Sequence, residues 1–503
     1  MNNIKKITAI ILSGSFLLAS CDDFLSKNPD NRTLLDSPQA VSELLVSAYP
    51  DEAYMAFAEA MSDNVGDKGI GQYVVEFIPN QKAFFWQDDL SDDYSYTSYW
   101  NGCYKAIAHA NQALEAIEKA HDPENYQTQK GEALATRAYA HFMLVNFFAK
   151  HYNPNTAATD LGVPYVTKPE NTVFADYERA SVEYIYKEVE QGLLEAMTLI
   201  KDDEYTIPKY HFTQAALSAF ASRLYLYLGE WDKVIEYSSP ILGMNPASKI
   251  RDWNGKYANY EAKELWAQYT KTEETANILL NRAYTDWAQG LVVFRYSLSN
   301  EKAIELFELG NIGLRTFDLV IGDKILQAGG SDQCSFIPKY PDRIETENGA
   351  SFGIPNTIIP LFSMEEVLFN RAEAYAMKNE FDKALADLDS YFQKRNAFYS
   401  PENKITEKAI RMVYEGNGVE APELAPFYTI SEQQKLYIQY LLDLRRREFI
   451  HEGMRWFDIR RFNFAITHTT FDGETFTLPK DDPRRVLQIP GQAIASGLEP
   501  NPR

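Results

Sequence analysis

Apolar residues recur at three- and four-residue spacing in seven stretches of the chain, near 40–60, 98–120, 128–150, 178–200, 212–238, 364–394 and 432–464. That spacing follows the 3.6-residue turn of a helix, so each stretch predicts helix with one buried face. Two of them share a turn: Leu228-Gly229-Glu230-Trp231-Asp232-Lys233-Val234 parallels Lys378-Asn379-Glu380-Phe381-Asp382-Lys383-Ala384. Each turn follows an Arg- and Tyr-bearing helix, with Arg223 and Tyr227 in one and Arg371 and Tyr375 in the other, and precedes a second amphipathic helix. Paired helices of this kind need a permissive residue at the turn and an aromatic packed between them.

Between about 241 and 360 the helical period weakens, and Gly, Pro, Asn and aromatic residues accumulate. This stretch predicts an irregular, loop-rich insertion with short strands, among them 264–269 and 291–296. Its aromatic content argues against disorder, because large rings repay ordering entropy by burial. The helical scaffold is then placed at about 41–240 and 361–470, in a single domain over 41–503. The expected fold class is mainly α.

The N-terminus carries a different pattern. Lys5 and Lys6 precede an apolar run over 7–19, too short to cross a bilayer as a mature helix, which reads as a signal peptide over 1–20. The run ends in Leu18-Ala19-Ser20-Cys21, which resembles a bacterial lipobox, and acylation of Cys21 would anchor the protein to a membrane through lipid alone. Asp22 and Asp23 after the cysteine resemble a surface-export signal. Residues 21–40, polar and holding Pro29 and Pro38, read as the lipidated N-terminus and its tether.

Charge and cysteine content narrow the partners. The formal net charge is −22, and loss of residues 1–20 removes two lysines and no acid, leaving −24. Such a surface repels phosphate backbones and excludes nucleic acid as a partner, while a neutral sugar is indifferent to it. Beyond Cys21 only Cys103 and Cys334 remain, too few for a disulfide scaffold or a thiolate metal cage. They could pair with each other, or Cys103 could simply be core within its helical stretch.

Motifs of catalysis and metal binding fail on context. Gly349-Ala350-Ser351-Phe352-Gly353 matches G-x-S-x-G, but polar residues 345–348 precede it and Pro355 follows, so no nucleophile elbow is expected. His451-Glu452 lacks the second histidine of a zinc protease, its place being taken by Arg455. The glycines of 66–71 stand in the reverse order of a dinucleotide fingerprint and read as a loop. Asp88, Asp89, Asp92 and Asp93 form an acidic cluster that calcium could use, though a solvated acidic turn is the preferred reading. Paired glycosidase carboxylates have no local signature, since their separation is three-dimensional. No catalytic residue, metal or cofactor is expected.

The most distinctive segment is Leu444-Arg445-Arg446-Arg447-Glu448-Phe449-Ile450-His451-Glu452-Gly453-Met454-Arg455-Trp456-Phe457-Asp458-Ile459-Arg460-Arg461. Read as one helix, it places Phe449, Gly453 and Trp456 on a face flanked by Ile450, Met454 and Phe457. The same reading makes Glu452–Arg455 and Asp458–Arg461 acid-before-base pairs. The segment resembles the C-terminal signature of the SusD/RagB family of nutrient-binding outer-membrane lipoproteins. Residues 363–376 (SMEEVLFNRAEAYA) and 100–111 (WNGCYKAIAHAN) resemble two further helices of that family.

The resemblance implies a tetratricopeptide-like helical scaffold with a variable loop region. It further implies surface exposure on a bacterial outer membrane and docking on a SusC-like, TonB-dependent barrel transporter that receives oligosaccharide or another polymeric nutrient. Under it Arg447, Glu448, Glu452, Arg455, Trp456 and Asp458 are structural. Peptide capture, as on the RagB side of the family, is the nearest alternative. An α-helical glycoside hydrolase or a scaffold that binds only proteins stands further off.

Sugar recognition needs flat apolar ring faces beside polar groups, so loop aromatics are the candidates. Among the 32 tyrosines and 7 tryptophans, Tyr73, Tyr94 and Tyr96 precede the first recognisable scaffold helix, and Trp253, Tyr257, Trp287 and Tyr296 lie in the irregular middle. Trp86 is ambiguous. Trp266 favours burial, and Trp100, Trp231 and Trp456 are expected in the scaffold.

Overall fold

The computed structural model describes residues 35–71, 73–88, 95–169, 177–308, 319–328, 334–341, 343–345, 353–415 and 421–503. Cys21 with its leader and most of the tether, Tyr94, Asp89, Asp92, Asp93 and 349–352 of the G-x-S-x-G stretch lie outside them.

The helices are α1 (Pro38–Leu45), α2 (Met55–Ala60), α3 (Ile78–Phe84), α4 (Tyr96–Lys119), α5 (Gln127–Phe148), α6 (Val182–Leu199), α7 (Gln214–Leu228), α8 (Trp231–Leu242), α9 (Ala262–Tyr269), α10 (Trp287–Val293), α11 (Met364–Met377), α12 (Phe381–Arg395), α13 (Glu407–Tyr414), α14 (Glu432–Glu448) and α15 (Met454–Phe462), with shorter turns between them. The strands are β1 (Gly66–Asp67), β2 (Asn277–Tyr284), β3 (Tyr296–Ser297), β4 (Leu326–Ala328), β5 (Cys334–Phe336), β6 (Arg343–Glu345), β7 (Ile354–Ser363), β8 (Ile466–Thr469) and β9 (Thr475–Leu478). The protein is mainly α, as its periodicity predicts.

Hydroxyl side chains set the helix starts. Ser95, Ser181, Thr213, Ser363 and Ser431 each accept a backbone N–H from the first turn that follows, satisfying a donor the helix itself leaves unpaired. α5 is buried on nearly every face and packs between α4 and α6, which makes it a central pillar of the core.

The two repeated turns have one geometry. Gly229 and Asn379 both adopt positive φ, at 74° and 59°. Behind them Glu230 N donates to Tyr225 O at 2.9 Å, and Glu380 N to Tyr375 O at 2.8 Å. The left-handed residue reverses the chain and closes the helix end. The resulting hairpins α7–α8 and α11–α12 stack through α8 on α11, and α14 also packs on α11.

Among the described residues, the insertion carries a three-stranded sheet. β2 and β7 pair antiparallel, and β6 joins the far edge of β7, in the order β2-β7-β6. β7 runs straight into α11 through Ser363.

Three expectations of local structure are corrected. Residues 262–269 are helix: Glu261 and Glu264 form a reciprocal capping box, and Leu265 and Tyr269, four apart, bury one stripe. Residues 291–296 divide between the end of α10 and the start of β3. The C-terminal signature breaks at 449–453, where His451 and Gly453 take φ of 72° and 70°. In consequence Arg455 pairs with Asp63 at 2.7 Å, and Glu452 with Lys339 at 2.7 Å. Asp458–Arg461, at 3.0 Å, forms as expected.

Cys103 and Cys334 are both free and buried, so the pairing left open by the sequence is not made. Among the described residues no helix is long and apolar enough to cross a membrane.

Candidate functional site

The signature residues converge inside the protein. Glu448 accepts from Arg395 Nε and Nη2, each at 2.8 Å, and Arg395 reaches Glu365 at 2.9 Å, which in turn holds Arg251 at 2.8 Å. Glu452 also accepts the Tyr269 hydroxyl at 2.6 Å. Arg461 donates to Glu373 at 2.7 Å, and Arg223 to Glu366 at 2.5 Å. All these groups are buried. They cross-link α7, α11, α12, α14 and α15 to the sheet region, and leave no acid pair among them open to a substrate.

Burial would raise the Asp458 carboxyl, but Arg445 and Arg461 outweigh it and hold it below the usual range. Glu59 differs. Burial pushes it up to about 7 despite N–H donors from His451 and Gly453, both at 2.9 Å, with which it holds the break between α14 and α15. Among the described residues no cluster of His, Cys, Asp and Glu has the arrangement to hold a metal ion.

Six of the proposed ligand aromatics are corrected by burial. Trp253 lies beneath Tyr257, ring centres 5.1 Å apart, and the Tyr257 hydroxyl donates to Glu274 at 2.8 Å. Trp287 Nε1 donates to His451 O at 2.9 Å. Tyr296 stacks on Phe84 at 4.4 Å, Trp86 on His468 at 4.3 Å, and Tyr96 packs edge-on against Phe148. Tyr96 is buried as the first residue of α4, and the other five belong to irregular or short segments that build their own core, in which large rings bury the most area.

Tyr73 keeps an open ring, 48% exposed. Its loop is tied down at both ends. Asp67 Oδ1 accepts from Gly69 N at 2.8 Å and Arg295 Nε at 2.6 Å, while Oδ2 accepts from Arg295 Nη2 at 2.9 Å and Phe471 N at 3.1 Å. Arg295 also reaches Glu76. Val75 bonds back and forth with Val293 and Arg295, so both ends of 67–76 are tied to β3 and its approach. Burial would raise Asp67, yet the Arg295, Phe471 and Gly69 donors outweigh it and keep it ionised.

The same carboxylate fixes the β8–β9 hairpin, whose Phe471 lies against Gly69. A Cβ there would meet the Phe471 ring at 2.7 Å, so glycine is required on space as well as on its φ of 70°. Phe471 is 60% exposed, and Phe476 is also open. Tyr73, Phe471 and Phe476, with exposed Ile70, Val75 and Ile78, therefore belong to two segments clamped at one point.

The hairpin escaped the sequence reading, although Asp472-Gly473 between alternating residues is a strong hairpin signal. Elsewhere a concave site of about 210 Å³ is lined by Trp100, Tyr104 and Tyr177 with Pro164, Val166 and Leu498.

The fold defines the class: a tetratricopeptide-like helical scaffold that carries an inserted region of short strands. The comparisons give the family. A family model described as starch-binding associating with outer membrane matches residues 23–226, and the SusD family model matches 328–483. A SusD-like protein of Formosa agariphila is 24% identical over 92% of this chain and 92% of its own length. A SusD superfamily protein of Bacteroides vulgatus superposes with a TM-score of 0.66 at 19% identity, covering 94% of this chain and 99% of that one. A SusD-like carbohydrate binding protein of the same organism gives 0.63 at 16%, covering 92% and 96%. The chain belongs to the SusD/RagB family.

Proposed function

We propose that this protein is a surface lipoprotein of the bacterial outer membrane, anchored through Cys21, that captures oligosaccharide and passes it to a SusC-like, TonB-dependent transporter without transforming it. One observation carries the ligand side of this reading. On the loop pinned by Asp67 and Arg295, the Tyr73 ring is kept open beside a second clamped segment bearing Phe471. Exposed rings on preorganised loops suit the C–H face of a sugar and lose little entropy on binding. The family description and the carbohydrate-binding relative support the same substrate class.

Calorimetry against panels of neutral oligosaccharides and of peptides tests it. Glycan binding that falls about tenfold or more in Tyr73→Ala or Phe471→Ala, with the thermal melt unchanged, is the expected result. Preference for peptides would move the protein to peptide uptake, and product release from the glycan panel would make it a hydrolase. For the anchor, Cys21→Ser should shift the protein from the membrane fraction to the soluble one.

A further inference from the structure

On another part of the molecule, a cavity of about 720 Å³ opens between residues 150–161, the 425–427 segment, the end of α15 and the C-terminal residues 481–486 and 501–502. Its size is that of a small-molecule site. Most of its charged side chains are compensated. Lys150 pairs with Asp160 at 2.7 Å, Arg461 with Glu373 and Asp458, and Asp482 with Arg484 at 2.8 Å. Asp481 is exposed and accepts from Asn463 Nδ2 at 2.8 Å.

Arg460 and Arg485 are different. Both line the cavity and both are more than nine-tenths buried. Arg460 donates to the carbonyl of Ala149 and to no other described group. Arg485 donates only to carbonyls, those of Phe464 at 2.6 Å, Pro479 at 2.9 Å, Leu478 at 3.3 Å and Ile459 at 3.4 Å. Neither is paired with a carboxylate among the described residues. Burial pushes each guanidinium down to about 10; Arg485 adds repulsion at Arg460, whereas Asp482 and Asp481 partly offset the burial of Arg485. The same field reaches His151 on the cavity wall, where burial, Arg460 and Arg461 all disfavour the protonated ring.

Buried cations in a protein are normally matched by an anion, and this chain has acids in excess, 71 against 49 lysines and arginines. Among the described residues Arg460 has no acid acting on it and Arg485 only the longer-range pull of Asp482 and Asp481, so the cavity keeps positive charge that an anion from outside would match. The remaining wall favours a saccharide as its carrier. Tyr152 and Phe427 are half-buried rings with centres 6.2 Å apart, and Thr159, Asn463 and Asn153 add hydroxyl- and amide-bearing groups.

We infer that this cavity is an anion-selective saccharide site, in which Arg460, with Arg485 behind it, receives the carboxylate of a uronic acid or the sulfate of a sulfated sugar while Tyr152 and Phe427 line its ring. The inference rests on the glycan-capture reading but concerns a site separate from the Tyr73 surface.

The test titrates the full mature protein with trigalacturonate, its methyl ester, a sulfated galactose disaccharide and inorganic sulfate. The acid should bind about tenfold or more tightly than its ester, as a charge-assisted contact implies, and added salt should narrow the difference only in part, since the arginines are buried. Arg460→Gln should abolish the preference. Since that change touches the core, Thr159→Trp, at an exposed position on the rim, provides a second block that leaves folding intact.

Equal affinity for acid and ester, or a preference that survives both variants, overturns the inference. Sulfate alone binding as well as the sulfated sugar reduces the site to an adventitious ion only and also overturns it. Neutral glycan binding that depends on Tyr73 would persist in either case, whereas its loss in the wild type would sink the capture reading itself.

Discussion

Arg445 and Asp458 are thirteen residues apart, yet Arg445 Nε donates to Asp458 Oδ2 across 2.9 Å with both side chains buried. On one continuous helix they would stand about 20 Å apart. The left-handed residues His451 and Gly453 fold the chain back, and Glu59 accepts both of their backbone N–H groups. At Gly453 a Cβ would meet Ala58 Cβ at 2.9 Å and Met55 Cα at 3.2 Å. Gly453→Ala should therefore cost about 2–4 kcal/mol, from strain at positive φ and overpacking together. Denaturant melts check this, and an unchanged midpoint would mean the break does not depend on glycine.

Glu448 binds Arg395 through both oxygens and accepts the Tyr391 hydroxyl as well. Removing one partner strands a buried charge, so Arg395→Met should destabilise by about 3–5 kcal/mol. Pairing it with Glu448→Gln should recover part of the loss, a coupling that a double-mutant cycle measures.

Rings inside and outside the core should respond differently to truncation. Trp253→Ala and Trp287→Ala should each cost about 3–5 kcal/mol of stability, since both rings are fully buried. Tyr73→Ala should change stability by less than about 0.5 kcal/mol and act on ligand affinity instead. Thermal melts run beside binding isotherms separate the two, and a large fall in melting temperature for Tyr73→Ala would remove it from the ligand surface.

Acid should weaken the fold through His141. Its Nδ1 lies 2.9 Å from Arg137 O and its Nε2 accepts Val166 N at 3.0 Å, while burial pushes it down to about 3. Above the unfolded value of 6.5 both states are neutral and the residue adds no pH dependence. Below it the unfolded chain takes up a proton that the folded one refuses, so stability falls by about 1.4 kcal/mol per pH unit on the way to the folded value. The stability advantage of the wild type over His141→Gln should shrink accordingly between about pH 6.5 and 4.5. A constant difference across that range would show that His141 titrates normally.

The hairpin architecture was readable from one dimension. Gly229 and Asn379 announced their turns because a left-handed reversal admits few residue types, and the apolar period announced the helices around them. The N-caps at Ser181 and Ser431 are equally local. The signature of 444–461 carried the family while concealing its geometry, because the period of Phe449, Ile450 and Trp456 is compatible with an unbroken helix and Gly453 alone does not declare a reversal.

The candidate site was legible only in kind. An aromatic-rich loop region is a compositional fact, but exposure of a particular ring depends on which distant segment covers it. His468 covers Trp86, Phe84 covers Tyr296 and Tyr257 covers Trp253. By itself, then, the chain determined helix, turn and family, since these follow from the period and chemistry of neighbouring residues. Only the tertiary structure decided that Tyr73 stays open, that Asp67 gathers Arg295 and Phe471 from far along the chain, and that Arg460 and Arg485 share a cavity, since burial and charge compensation are properties of neighbours in space.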